Sequence, residues 1–86
     1  VKYSVRWREE ASEELATIWL KSDSSERRKI TAAADAIDKA LANRPIECGE
    51  SRGAMRRIFY VEPLALVFQV SEPDWTVNVL QVWRVT

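Results

Sequence analysis

Arginines dominate the part of this chain that could do chemistry. Arg52, Arg56 and Arg57 form a basic patch that no acid interrupts. A guanidinium fork matches the paired oxygens of a phosphate or a carboxylate, so the patch suits contact with a phosphate or an acidic partner. The competing reading is a solvated strand edge whose positive charge deters sheet stacking. Arg56 and Arg57 are adjacent in a strand-like run. They therefore point to opposite faces, and only one of them can line a given surface. Arg84 follows Trp83 near the end of the sequence. That pair could stabilise a charged transition state or stack on a nucleic-acid base, or simply supply charge and aromatic cover to the core. Tyr60 could hydrogen-bond to RNA or pack across strands. Arg52, Arg56, Tyr60, Gln81, Trp83 and Arg84 make up the candidate nucleic-acid or partner surface. Arg27, Arg28 and Lys29 read as a solvated helix face.

The remaining chemistry is limited by what is missing. The sequence has no histidine. A histidine base, the usual serine or cysteine triads and histidine-ligated zinc are thereby excluded. Cys48 lacks a histidine to lower its pKa and does not suit a catalytic thiol. Glu47 and Glu50 do not form a firm carboxylate pair for glycosidase-like or metal chemistry. No metal and no cofactor are expected.

Thirteen basic and 13 acidic residues give zero net charge, and each half is balanced: 8 against 8 through Asn43, then 5 against 5. Grip on nucleic acid by bulk electrostatics needs a positive excess, so any such contact must be local, and a partner protein is at least as well suited. Eighty-six residues allow one domain, expected over 1–86, with a modest core. Hydrophobic residues are 47% and glycine and proline are few, which is a globular composition. No apolar run reaches the length of a membrane span, and Lys2 and Arg6 interrupt the N-terminal segment, so no signal peptide is read. With a single cysteine, a reduced, cytoplasmic protein is expected.

The elements that must position these residues follow from periodicity. Tyr3, Val5 and Trp7 alternate with polar residues, which predicts a half-buried strand. From Glu9 to about Lys21, Ala11, Leu15, Ile18 and Trp19 follow helical spacing, and four glutamates crowd the first turns. Trp19 and Leu20 are expected to anchor this helix. Asp23 with Glu26 reads as a capping box that opens a second helix running to about Ala42. Ile30, Ala33, Ala34, Ile37 and Leu41 form its apolar stripe, and the alanines should let the helices approach closely. Asn43 is a plausible cap, and Pro45 forbids continuation. Arg44 to Ala54 reads as a loop. Three strand-like runs follow: Met55 to Val61, Leu64 to Val70 and Trp75 to Val85, with a bulge or two-sided burial near Val79. The Leu64 run is apolar on both faces and should be central. Core packing accounts for Trp7 and Trp19, whereas Trp75 and Trp83 suit a surface covered by a partner.

The ordered set resembles the RelE/ParE superfamily of bacterial toxins. Tyr3-Ser4-Val5-Arg6-Trp7 before an acidic helix is similar to the family's opening, and Ile18-Trp19-Leu20 to its first helix. Asn43-Arg44-Pro45 with Gly49 is similar to its asparagine/proline/glycine loop. Arg57 to Val61, Pro63-Leu64 and Leu66 to Val70 resemble its central hairpin. The resemblance implies an α+β fold, β-α-α-β-β-β, with a helical hairpin on one face of a small, mostly antiparallel sheet. It further implies the toxin of a type II toxin–antitoxin pair, neutralised by a cognate antitoxin. Two actions are open: cleavage of mRNA on the ribosome, or ParE-like inhibition of a protein target such as DNA gyrase. A diverged toxin fold that is only an interaction module is the alternative. For RNA cleavage, a 2′-hydroxyl would attack the adjacent phosphate, and Arg56, Arg57 and Arg84 would stabilise the developing charge; the resemblance places basic residues near Arg56 and Arg84. Ala65 stands where such nucleases carry an arginine, and no terminal helix is expected within these residues.

Overall fold

Residues 2–85 are described by a computed structural model; Val1 and Thr86, the ends of the expected domain, lie outside the described residues. The chain runs β1 (Ser4–Trp7), α1 (Glu9–Leu20), α2 (Ser24–Asn43), a single 3-10 turn (Pro45–Glu47), β2 (Glu50–Ser51), β3 (Arg56–Val61), β4 (Leu64–Ser71) and β5 (Thr76–Arg84). The five strands form one sheet in the order β1-β5-β4-β3-β2. β1 runs parallel to β5, and the other three pairings are antiparallel. This is the expected α+β architecture with one addition. β2 is two residues long, too short to leave a periodic signal, and it forms inside the segment read as loop.

β4 is central, and its alternation sets the layers. Leu64, Leu66, Phe68 and Val70 are buried in the core with Val77, Val79 and Val82 of β5. Ile30, Ala33, Ile37 and Leu41 of α2 and Ala11 of α1 cover them. The capping box forms as expected: the Asp23 carboxylate accepts from the Glu26 amide at 2.9 Å, and the Glu26 carboxylate accepts from the Asp23 amide at 3.1 Å. Asn43 is the last helical residue rather than the cap, and its side-chain amide donates to the Lys39 carbonyl at 2.7 Å. Two bonds tie α2 to β1: the Trp7 indole N–H donates to Asp38 Oδ1 at 2.7 Å, and the Tyr3 amide donates to the Ala42 carbonyl at 2.8 Å.

The anchoring of α1 differs from expectation. Trp19 is 39% and Leu20 68% exposed. At about 100° per residue, Ala11, Leu15, Ile18 and Ser22 share one narrow arc, Trp19 stands at about 80° from Ala11, and Leu20 is on the far side. Ser22 therefore takes the buried place, and Trp19 sits at the rim beneath the Arg27 guanidinium, 4.2 Å from its ring centroid. Arg27 is not simply solvated. Its Nε and Nη2 donate to the Trp19 and Leu20 carbonyls at 2.9 and 3.2 Å, which satisfies the open C-terminal end of α1. Nor do the alanines close the hairpin. A groove of about 640 Å³ remains between the helices, with Leu15, Ala16, Trp19 and Ala34 on its walls. Each helix packs on the sheet more than on its neighbour.

Ile37 is fully buried between α2 and the sheet. Ile37→Ala should cost about 2–5 kcal/mol through the cavity it leaves. Urea unfolding checks this; a loss below about 1 kcal/mol would mean that α2 is not packed on the sheet as described.

Candidate functional site

Register divides the strand residues into two faces. On β3, Arg57, Phe59 and Val61 stand opposite Phe68, Leu66 and Leu64, on the side the helices cover. Arg56, Ile58 and Tyr60 stand opposite Gln69, Val67 and Ala65, on the open side. Arg56 and Arg57 thus face opposite ways, as adjacent strand residues must. Arg57 is spent on structure: its Nε donates to the Cys48 carbonyl at 2.7 Å, and its Nη2 to the Gly49 carbonyl at 2.9 Å. It holds the loop before β2 against the sheet. Gly49 has φ +64°, and a β-carbon there would run into the Ile58 carbonyl. The Cys48 thiol is buried, donates to the Arg44 carbonyl at 3.2 Å, and has its pKa raised by burial. Burial of this kind disfavours the thiolate, the form in which a cysteine is nucleophilic.

Arg84 also faces the helices. A bulge explains why. Phe68 pairs with Val79 but Val67 pairs with Gln81, so Leu80 is an extra residue in β5. Thr76 and Asn78 lie on the open face before the bulge; Gln81 and Trp83 lie there after it, opposite Val67 and Ala65. Arg84 is shifted to the covered side, opposite Leu64. Its Nη1 donates to Ser22 Oγ at 3.1 Å, and its Nη2 pairs with the Glu26 carboxylate. Glu14 secures the same stretch, its carboxylate accepting from the Val82 amide at 3.0 Å. Arg52 pairs with Glu50 at 3.2 Å across an exposed turn.

The structure therefore does not bring Arg56, Arg57 and Arg84 together. Of these three, Arg56 alone is on the open face. Tyr60, Gln81 and Trp83 do share that face with it, whereas Arg52 is in the β2–β3 turn. Trp75, 46% exposed, lies in the β4–β5 turn with its ring edge-on to Tyr3 at 5.1 Å. Sequence reading missed Arg6 and Arg8. Arg6 pairs in register with Asn78, and both arginines line an open hollow of about 810 Å³ with Gln69, Asn78, Glu72 and Asp74. The signal was present: Val5 and Trp7 point inward, so Arg6 must point out. Among the described residues no group of three or more potential metal ligands converges, and no helix is long and apolar enough to cross a membrane.

Two outcomes test these roles. Gly49→Ala should destabilise by more than about 1 kcal/mol, because the residue needs positive φ and the approach to Ile58 leaves no room; an unchanged urea midpoint would contradict the packing. The Arg84 hydrogen bond holds the Glu26 carboxyl below its ordinary value. A lowered folded pKa means stability that is fully present above the unfolded value of about 4.3 and is lost as pH falls through the folded value. Wild type should therefore lose more stability than Glu26→Gln between about pH 6 and pH 3, and parallel losses would remove the tether.

No protein-family model matches the sequence, and comparison with curated proteins gives no match. Solved structures do match. The chain is similar to a chain of the Mycobacterium tuberculosis RelBE2 toxin–antitoxin complex, with a TM-score of 0.77 at 21% identity over 98% of this chain and 92% of that one. It is similar to a chain of the chromosomal ParDE toxin–antitoxin system of P. aeruginosa, with a TM-score of 0.74 at 20% identity over 98% and 97%. The isolated E. coli RelE toxin aligns with a TM-score of 0.66 at 23% identity over 98% and 85%. Two helices on one face of a mixed five-stranded sheet, matched end to end by these chains, give this protein the fold of the RelE/ParE toxins.

Proposed function

We propose that this chain is the toxin of a type II toxin–antitoxin pair, a growth inhibitor that a cognate antitoxin neutralises, and that it acts by binding a protein target such as DNA gyrase. The fold supports the toxin reading, since the RelBE2 and ParDE structures it matches are toxin–antitoxin systems. One observation carries the choice of mechanism: Arg57 and Arg84 are engaged by the Cys48 and Gly49 carbonyls and by Glu26 and Ser22, on the covered face. Arg56 is left without them. A phosphate bound at Arg56 would lack the convergent cations that a charged transition state needs. Arg56 cannot itself accept the proton of an attacking hydroxyl, because arginine stays protonated at any physiological pH.

A second reading, ribosome-associated mRNA cleavage, draws on the likeness to E. coli RelE and on the arginines of the open face. In that case a group other than arginine, from this chain or from the ribosome, would have to carry the proton.

Induced expression in a bacterial host separates the two. The expected result is growth arrest, intact translated messages, and inhibition of gyrase supercoiling by the purified chain. Cuts in translated mRNA that disappear in Arg56→Ala would instead establish the cleavage reading. Normal growth at full expression would leave neither.

A further inference from the structure

We infer that α2 carries a self-association site, through which two copies of this chain pair about a two-fold axis with their second helices antiparallel. The inference is independent of the target chosen above and of the toxin reading itself. It starts from the outward stripe of α2. At about 100° per residue, Ser24, Asp35 and Lys39 lie within about 40° of Arg28 around the helix, and Thr31 and Ala32 flank that line on either side. All six are exposed.

The charges of this stripe complement themselves. Arg28 and Asp35 make no side-chain hydrogen bond or ion pair among the described residues. They are two turns apart, so about 10.5 Å of helix rise separates an unfilled guanidinium fork from a free carboxylate on one face. A two-fold contact is reciprocal: if residue i meets residue j, then j meets i. An axis passing between Thr31 and Ala32 therefore sets Arg28 of each copy beside Asp35 of the other, and forms the fork-to-carboxylate pair twice. The same operation sets Lys39 of each copy opposite Ser24 of the other, next to Asp23. Thr31 and Ala32, small and nearest the axis, let the two helices approach to the short end of the usual range of about 8–10 Å.

Apolar surface beside the stripe supplies the affinity. The interhelical groove adjoins a smaller hollow of about 360 Å³, and Trp19, Thr31 and Asp35 border both. Arg28 and Ala32 complete the wall of the smaller one. A helix laid along the stripe therefore lies against the exposed Trp19 ring, with the exposed Leu20 alongside. Burying these side chains contributes more than exposed ion pairs do, and the pairs fix register and direction. Charge order favours a second copy over an unrelated segment. A uniformly acidic helix would be repelled at Asp35 and a uniformly basic one at Arg28, whereas a second α2 running the other way satisfies both. Size sets the strength. The 20 residues of α2 span about 30 Å, and one outward face of that length covers a few hundred Å² per copy, less than the roughly 800 Å² per partner of a stable interface. The pairing is therefore weak and depends on concentration.

The test measures the mass of the purified full chain by sedimentation equilibrium between about 1 μM and 1 mM. The mass should rise from one copy towards two across that range. Arg28→Asp and Asp35→Arg should each weaken pairing about tenfold or more, because the two-fold doubles every change. An equimolar mixture of these two variants should regain the dimer, since one then carries two acids on the stripe and the other two bases. The double variant Arg28→Asp/Asp35→Arg, which exchanges the charges, should pair as the wild type does. Arg6→Gln, on the open sheet face, should change nothing. The proposal is overturned if the chain keeps the mass of one copy at the highest concentration, if neither reversal weakens pairing, if the mixture does not regain it, or if Arg6→Gln weakens it equally. Growth arrest by a chain that never pairs strikes the dimer alone, and pairing by a chain that fails to arrest growth strikes the toxin reading alone.

Discussion

Burial of one face of β4 governs the arrangement of the molecule. Leu64, Leu66, Phe68 and Val70 lose nearly all contact with water, and together with Val77, Val79 and Val82 they supply most of the strand side of the core. Apolar area on this scale is the main favourable term available to a small domain. It requires cover, and α1 and α2 bring Ala11, Ile30, Ala33, Ile37 and Leu41 to provide it. Because neighbouring strand residues point opposite ways, covering one face fixes the identity of the other. Arg6, Asn78, Gln69, Arg56, Tyr60 and Trp83 face solvent as a consequence of where the leucines went.

The same rule divides the arginines by task. Those on the covered side act as braces. Arg57 holds the loop at Cys48 and Gly49, Arg84 joins the end of β5 to Glu26 and Ser22, and Arg27 closes the end of α1. Each satisfies backbone or carboxylate oxygens that a short chain has few other means to satisfy. The arginines on the open side have no such duty. A zero net charge therefore hides a local sorting: four glutamates crowd the first turns of α1, and Arg6 and Arg8 line the open sheet face beside Glu72 and Asp74.

Two of the open surfaces among the described residues differ in chemistry. The groove between α1 and α2 is apolar and exposes Trp19 and Leu20. The open sheet face joins charge to aromatic surface.

Much of this was legible in the residue order. Alternation at Tyr3-Val5-Trp7 and at Leu64 to Val70, the Asp23–Glu26 capping box and the stop at Pro45 marked most elements, because these signals are local and act within a turn or a strand. The irregularity near Val79 was legible as either a bulge or two-sided burial, but not its effect. Strict alternation from Thr76 and Asn78 would carry Arg84 to the open face, and one extra residue at Leu80 sends it to the helices instead. Trp19 and Leu20 were misplaced because the arc of α1 that reaches the core is narrower than its apolar composition suggests. What the sequence determined by itself was the set of elements and their inward residues, since these depend on neighbours along the chain. Which arginines became braces and which stayed available was decided only by the folded structure, because that depends on carbonyls and carboxylates brought in from distant segments.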